Sequence, residues 1–123
     1  MLALAVTKLP EGPAWSYELK FDGYRALGMK AAGHVRLFSR NGKDLTQRFA
    51  SIARALKTLP DNAVIDGEFI AYDTDGRPSF NVLQNRGVAG RELHLYTFDL
   101  LTLRGEYLIR ERLETRCELC EPR

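Results

Sequence analysis

Cysteine is scarce in this chain: two residues in 123, Cys117 and Cys120, spaced as C-E-L-C. One C-x-x-C without a second pair supplies at most half a zinc site. The two histidines, His34 and His94, stand far apart and show no ligand spacing. The pair reads instead as a helix turn carrying two small apolar residues. The same shortage excludes a disulfide framework, so a reducing cytoplasm is the expected compartment. Charge of one sign is also missing. Eighteen basic against 16 acidic side chains leave +2, so no partner follows from whole-chain charge. No apolar run approaches the roughly 20 residues that a membrane helix needs, and no membrane partner is expected. The opening "MLALAV" is short and lacks a charged lead, unlike a signal peptide. Internal repeats and low-complexity segments are absent.

What is present fits one small globular domain, 45% hydrophobic and 28% charged. Thirteen of the 18 basic residues are arginine, whose planar fork suits phosphate and carboxylate groups. A G- and C-rich genome gives the same composition. The local pattern is sharper. Arg36, Arg40, Lys43 and Arg48 fall within thirteen residues that hold one acid, Asp44. The stretch is a candidate phosphate-facing patch, with a solvated basic loop as the alternative.

The chain order predicts an α+β fold with an antiparallel sheet. Residues 1–14 end in "LPEGPA" and read as an extended arm. "WSYELKF" alternates as a strand does, "YRALGMK" continues as a second strand after Asp22-Gly23, and "VRLFS" follows the turn "AAGH" as a third. "RNGKD" is a further turn. Phe49, Ile52, Ala53 and Leu56 then form one apolar helix face that stops before Pro60, with Asp44 and Gln47 as a candidate capping box. "AVIDGEFIAYD" and "ELHLYTFDLL" are strong strands, with the turn "TDGRP" and the short helix "SFNVLQNR" between them. "RERLETRCELC" reads as a terminal helix with Leu113, Cys117 and Cys120 on one side.

The segment "ELKFDGYRAL" puts Lys20, Asp22, Gly23 and Arg25 within six residues. A strand lysine is ordinarily a surface charge. Here Asp22-Gly23 places it at a loop edge, with Arg25 near and Glu18 two residues back on its face. A lysine amine is a nucleophile only when neutral, and desolvation or a neighbouring cation lowers its pKa. Gly23 permits a bulky anion to approach closely. The grouping suits a lysine that attacks phosphorus. Asp22 fits either a metal-water ligand or a hydrogen-bond anchor for the loop. Asp66 and Glu68 alternate onto one face of a strand that looks central. Tyr96 and Phe98 share a face with His94, where core packing is the ordinary role.

Glu18-Leu19-Lys20-Phe21-Asp22-Gly23-Tyr24-Arg25 resembles the E-x-K-x-D-G-x-R motif of ATP-dependent DNA ligases, and most of all the bacterial end-joining type. Ser39-Arg40-Asn41-Gly42, Asp66-Gly67-Glu68 and Tyr96-Thr97-Phe98-Asp99-Leu100-Leu101 resemble that family's next motifs in order. "LIRERLETRCELC" is similar to the helix that follows them. The resemblance implies that Lys20 forms lysyl-AMP from ATP and that Glu18 and the Leu19 backbone read the adenine edge. Arg25 and Arg40 would hold ribose and phosphates. Glu68 would contact the ribose or a magnesium ion, and Phe98 would stack on the adenine. Nicked double-stranded DNA is the implied partner.

The resemblance also implies a further E-G strand, a K-x-K strand and an OB-fold domain, and none is recognisable after Leu101. Residues 1–123 therefore read as the first half of an adenylation domain without an OB-fold domain. Such a half is expected to be impaired alone and to expose a sheet edge that a homodimer or a second chain covers. Two other readings stand beside this one: a non-catalytic nucleotide- or partner-binding remnant, and a nucleotidyltransferase of the RNA ligase or capping type. The wording "ELKFDGYR" and "FDLL" favours DNA ligase over the last.

Overall fold

The computed structural model describes residues 5–15, 17–85 and 92–120, the side chain of Cys120 excepted. The first residues of the arm, the end of "SFNVLQNR" and the side chain of Cys120 lie outside the described residues. Among these residues nine elements follow in order. They are strands β1 (Tyr24–Ala31) and β2 (His34–Ser39), helix α1 (Ala50–Ala55) with a 3₁₀ turn (Leu56–Thr58), and strand β3 (Ala63–Ala71). Helix α2 (Phe80–Gln84), strands β4 (Leu93–Leu103) and β5 (Glu106–Tyr107), and helix α3 (Leu113–Cys120) complete the set. The strands form one antiparallel sheet in the order β2-β1-β3-β4-β5. The α+β architecture expected from the sequence is the one found. Among the described residues no helix is long and apolar enough to cross a membrane.

Alternation sends one set of side chains to each face of the sheet. On one face Ala26, Leu37 and Phe69 meet Phe49, Ile52 and Ala53 of the α1 region, all buried. The Phe49 and Phe69 rings stack at 4.1 Å. A second cluster of Ile65, Leu100 and Leu108 closes the far end. On the opposite face the register sets Asp66 against Asp99. Like charges opposed across strands repel. Each is answered by a cation: Asp66 by Arg25 at 2.6 Å, and Asp99 by Arg116 of α3 at 2.6 Å. Arg116 and the contact of the Cys117 thiol with the Phe98 carbonyl dock α3 onto β4.

Two expectations are corrected, and one element is new. "WSYELKF" is not a strand, since its described residues carry no ladder. Both sides of β1 are already taken by β2 and β3, and alternation by itself makes no strand without a paired neighbour. The Asp44–Gln47 capping box does not form, because α1 starts at Ala50 behind Phe49. Asp44 instead accepts from the Thr46 amide at 2.8 Å and pairs with Arg36 at 3.1 Å, beside the edge strand β2. The two-residue strand β5 was not foreseen, being too short to show a period.

Candidate functional site

A cavity of about 450 Å³ opens where β2 ends at Ser39 while β1 begins at Tyr24. Tyr24, Leu45 and Phe49 give it apolar walls. Arg25, Arg40, Lys43, Arg48 and Glu68 give it four cations and one carboxylate. The excess of positive charge in a half-enclosed, low-dielectric space is suited to a polyanion.

Each cation is held differently. Arg25 points from β1 to Asp66, with Nε donating to Oδ1 at 3.1 Å and Nη2 to Oδ2 at 2.6 Å. The Asp66 side chain is 8% exposed and that of Arg25 32%, so the pair is anchored at the carboxylate end and open at the guanidinium. The hydrogen bond to Asp66, outweighing burial, raises the Arg25 pKa further, and the group stays charged. Arg48 donates to the Leu83 carbonyl at 2.7 Å and lies over the Tyr24 and Phe49 rings. Arg40 and Lys43 sit on the turn after β2. The Ser39 amide donates to the Lys43 carbonyl, the Gly42 amide to the Ser39 carbonyl, and the Lys43 amide to the Ser39 hydroxyl. Gly42 adopts φ +75°, which this tight turn requires and which a side chain rarely tolerates. Arg40 and Lys43 are exposed and form no ion pair among the described residues. They are the cations a ligand meets without displacing a partner.

Glu68 comes from β3, the central strand. Its Oε1 accepts from the Gly23 amide at 2.9 Å, which ties the chain leading into β1 to the cavity wall. Glycine is obligatory there for contact reasons: a Cβ on residue 23 would stand 2.1 Å from the Phe69 carbonyl oxygen. Phe98 is half-buried. The β3–β4 register passes from Asp66↔Asp99 to Gly67↔Thr97, which makes Phe98 the extra residue of a bulge. Bulges re-aim side chains beside functional sites, and here the Arg25 guanidinium lies 5.4 Å over the Phe98 ring.

Thus Arg25, Arg40 and Glu68, taken from three motifs, line one cavity, and Phe98 adjoins it through Arg25. Lys20, Leu19 and Asp22 are exposed and are not among its lining residues; Leu19 is 81% exposed. Glu18 instead borders a second cavity of about 580 Å³ with Tyr17, Arg112 and Cys117. No group of three or more His, Cys, Asp or Glu is placed to hold a metal among the described residues. Within the basic stretch 36–48, Arg40, Lys43 and Arg48 face the cavity, whereas Arg36 pairs with Asp44 and stacks on Phe38. The role of Asp66 as the holder of Arg25 was not assigned from sequence. The i, i+2 pairing of charges on β1 and β3 becomes readable only with the register.

Residues 1–122 match the family described as ATP dependent DNA ligase domain. The multifunctional non-homologous end joining protein LigD of Pseudomonas aeruginosa is 45% identical over 118 residues, which is 94% of this chain and 14% of that protein. LigD of Mycobacterium tuberculosis is 41% identical over 108 residues, 87% of this chain and 14% of that protein. A solved mycobacterial DNA ligase D complexed with ATP and MES superposes with TM-score 0.73 at 39% identity, covering 83% of this chain and 34% of that one. The ligase domain of M. tuberculosis LigD superposes with TM-score 0.72. The chain therefore spans about a seventh of the length of these LigD relatives.

Proposed function

We infer function from membership: this chain belongs to the ATP-dependent DNA ligase domain family, and we propose that it serves the nucleotidyl-transfer half of end-joining ligation. In this reading the neutral Lys20 amine attacks the α-phosphorus of ATP. A P–N bond forms, pyrophosphate leaves with the P–O bond electrons, and the amine proton passes to solvent. The AMP is then handed to the 5′-phosphate of nicked double-stranded DNA. Arg25, Arg40, Lys43 and Arg48 take the phosphates. Phe98 takes the adenine face, Glu18 and the Leu19 backbone its edge, and Glu68 the ribose. The observation that carries the reading is the meeting of Arg25, Arg40 and Glu68 in one cation-rich cavity. The ATP complex of a relative supports it.

In the same reading magnesium is carried on the triphosphate, with Asp22 and Glu68, the acids that flank Gly23, as the residues that would hold it. It would draw charge off the phosphates. We read residues 1–123 as the first part of an adenylation domain, at work in a reducing cytoplasm. Its second part, or a second copy of the chain, would cover exposed apolar side chains such as Leu9, Trp15, Tyr17 and Leu19. Sedimentation that returns a monomer at high concentration would remove the homodimer. Adenylation by these residues alone is expected to be slow, since each missing donor to the phosphates lowers the rate by about 10²–10³.

The position of Lys20 outside the cavity wall favours a second reading, a nucleotide-binding module that transfers nothing. Incubation with α-labelled ATP and magnesium, then a denaturing gel, separates the two. Label on the wild type that vanishes in Lys20→Ala supports transfer, and equal label on both overturns it. No label on either, with nucleotide still bound, supports the module.

A further inference from the structure

From Tyr17 to Asp22 the backbone enters no ladder. Upstream, the Tyr17 hydroxyl donates to the Pro10 carbonyl, a bond within the arm itself. Downstream, Gly23 is fixed by Glu68. Between these points Phe21 is half-buried while Leu19, Lys20 and Asp22 are exposed. The Phe21 ring stacks on that of Tyr96 at 4.4 Å with 30° between planes. Tyr96 is not an isolated surface ring. Its hydroxyl lies 2.6 Å from that of Tyr72, and the Tyr72 ring meets His94 edge-on at 5.4 Å. His94 is held in turn by Glu92 at 2.8 Å. The register pairs Tyr96 with Glu68, so both attachments of the Lys20 segment, the ring stack and the Gly23 hydrogen bond, spring from one cross-strand pair.

We propose that the Tyr96 ring is the positioning platform for the segment that carries Lys20. This rests on the reading of Lys20 as the nucleophile. Tyr96 touches neither the cavity nor the reacting atoms. It acts through Phe21, the residue next to Lys20, by holding an otherwise ladder-free segment against the sheet. An aromatic stack supplies this without backbone pairing, and so leaves the Lys20 backbone able to shift toward a bound nucleotide.

The test is limited trypsin cleavage after Lys20 on the full chain, with cleavage after Lys30 in β1 as the internal measure of global opening. Cleavage tracks the population of the open segment. Tyr96→Leu is expected to speed cleavage after Lys20 roughly three- to tenfold, the range a stacked pair supplies, without change at Lys30. Tyr96→Phe, which keeps the ring, is expected to stay near wild type. An unchanged rate at Lys20 in Tyr96→Leu overturns the proposal, and so does an equal rise at Lys30. Should Lys20→Ala label with α-labelled ATP as the wild type does, the nucleophile reading fails by itself. The trypsin comparison still decides whether Tyr96 holds the segment.

Discussion

Arg25 and Lys20 stand five residues apart. Arg25 is fixed by two hydrogen bonds to a buried carboxylate on the central strand, whereas Lys20 rides on a segment joined to the sheet by one ring stack and the Gly23 amide. The cradle for an anion is built on the sheet and a hydrogen-bonded turn. The proposed nucleophile is on a strap. A transfer site can use that division: rigid donors lose little freedom when the polyanion arrives, while the attacking group must travel from solvent to phosphorus. Each prediction below acts on one side of the comparison.

The largest effect belongs to the cradle. Asp66→Ala leaves Arg25 beside a vacated, buried site, with Glu68, its cross-strand partner, as the acid that remains beside it. Removing one partner of a buried pair costs about 3–5 kcal/mol, and the part exposure of Arg25 places the expectation at the lower end, about 3 kcal/mol by urea denaturation. A loss below about 1 kcal/mol would mean that the bidentate pair holds Arg25 no better than solvent does.

Gly23→Ala strikes the junction between cradle and strap. Its Cβ would meet the Phe69 backbone oxygen at 2.1 Å and the Ile70 side chain at 2.9 Å. Backbone cannot yield as a flexible side chain can. Overpacking of this kind costs about 1–3 kcal/mol, and the Glu68 bond to the Gly23 amide should be lost with it. Denaturation midpoints give the first quantity. Faster trypsin cleavage after Lys20 gives the second.

Arg40→Ala and Lys43→Ala should leave stability within about 0.5 kcal/mol, as exposed changes do. Each should weaken triphosphate binding roughly tenfold or more, the worth of a charge-assisted hydrogen bond. Calorimetric titration with ATP checks this. Lys20→Ala, by contrast, should leave ATP affinity nearly unchanged. If instead it lowers affinity as much as Arg40→Ala does, the strap already lies on the cradle before chemistry.

The sheet was legible because its strands carry strong signals: "AVIDGEFIAYD" and "ELHLYTFDLL" are long and apolar, and their turns carry Asp-Gly and Asn-Gly. The lead-in "WSYELKF" alternates as well as β1 does. What it lacks is a partner strand in register, and pairing is a property of the assembled sheet. Motif wording singled out Arg25, Arg40 and Glu68, which the structure brings to one cavity. The Asp66–Arg25 pair and the Tyr96–Phe21 stack were not, since each depends on register between segments more than 40 residues apart. Tyr96 had an ordinary reading as a core aromatic, and at 38% exposure it is not one.

The smallest expected effect is on pH dependence at the turn beside the cradle. Asp44 accepts hydrogen bonds from Thr46 and pairs with Arg36. The bonds to Thr46, ahead of the pairing, hold its pKa below the ordinary value of 3.8. A carboxylate whose folded pKa is depressed contributes its stability above the unfolded pKa and loses it as pH falls through the folded one. The difference in urea midpoint between wild type and Asp44→Asn should therefore be constant at neutral pH and shrink as pH drops below 3.8. Asp44 is exposed, so the difference is small at every pH. It matters because Asp44 adjoins Lys43 and sits opposite Phe38 on the β2 edge, and the same loss should loosen the turn that carries Arg40. ATP affinity measured over that pH range ought to fall more steeply for wild type than for Asp44→Asn. Parallel pH profiles would show that the turn is held by its Ser39 hydrogen bonds alone.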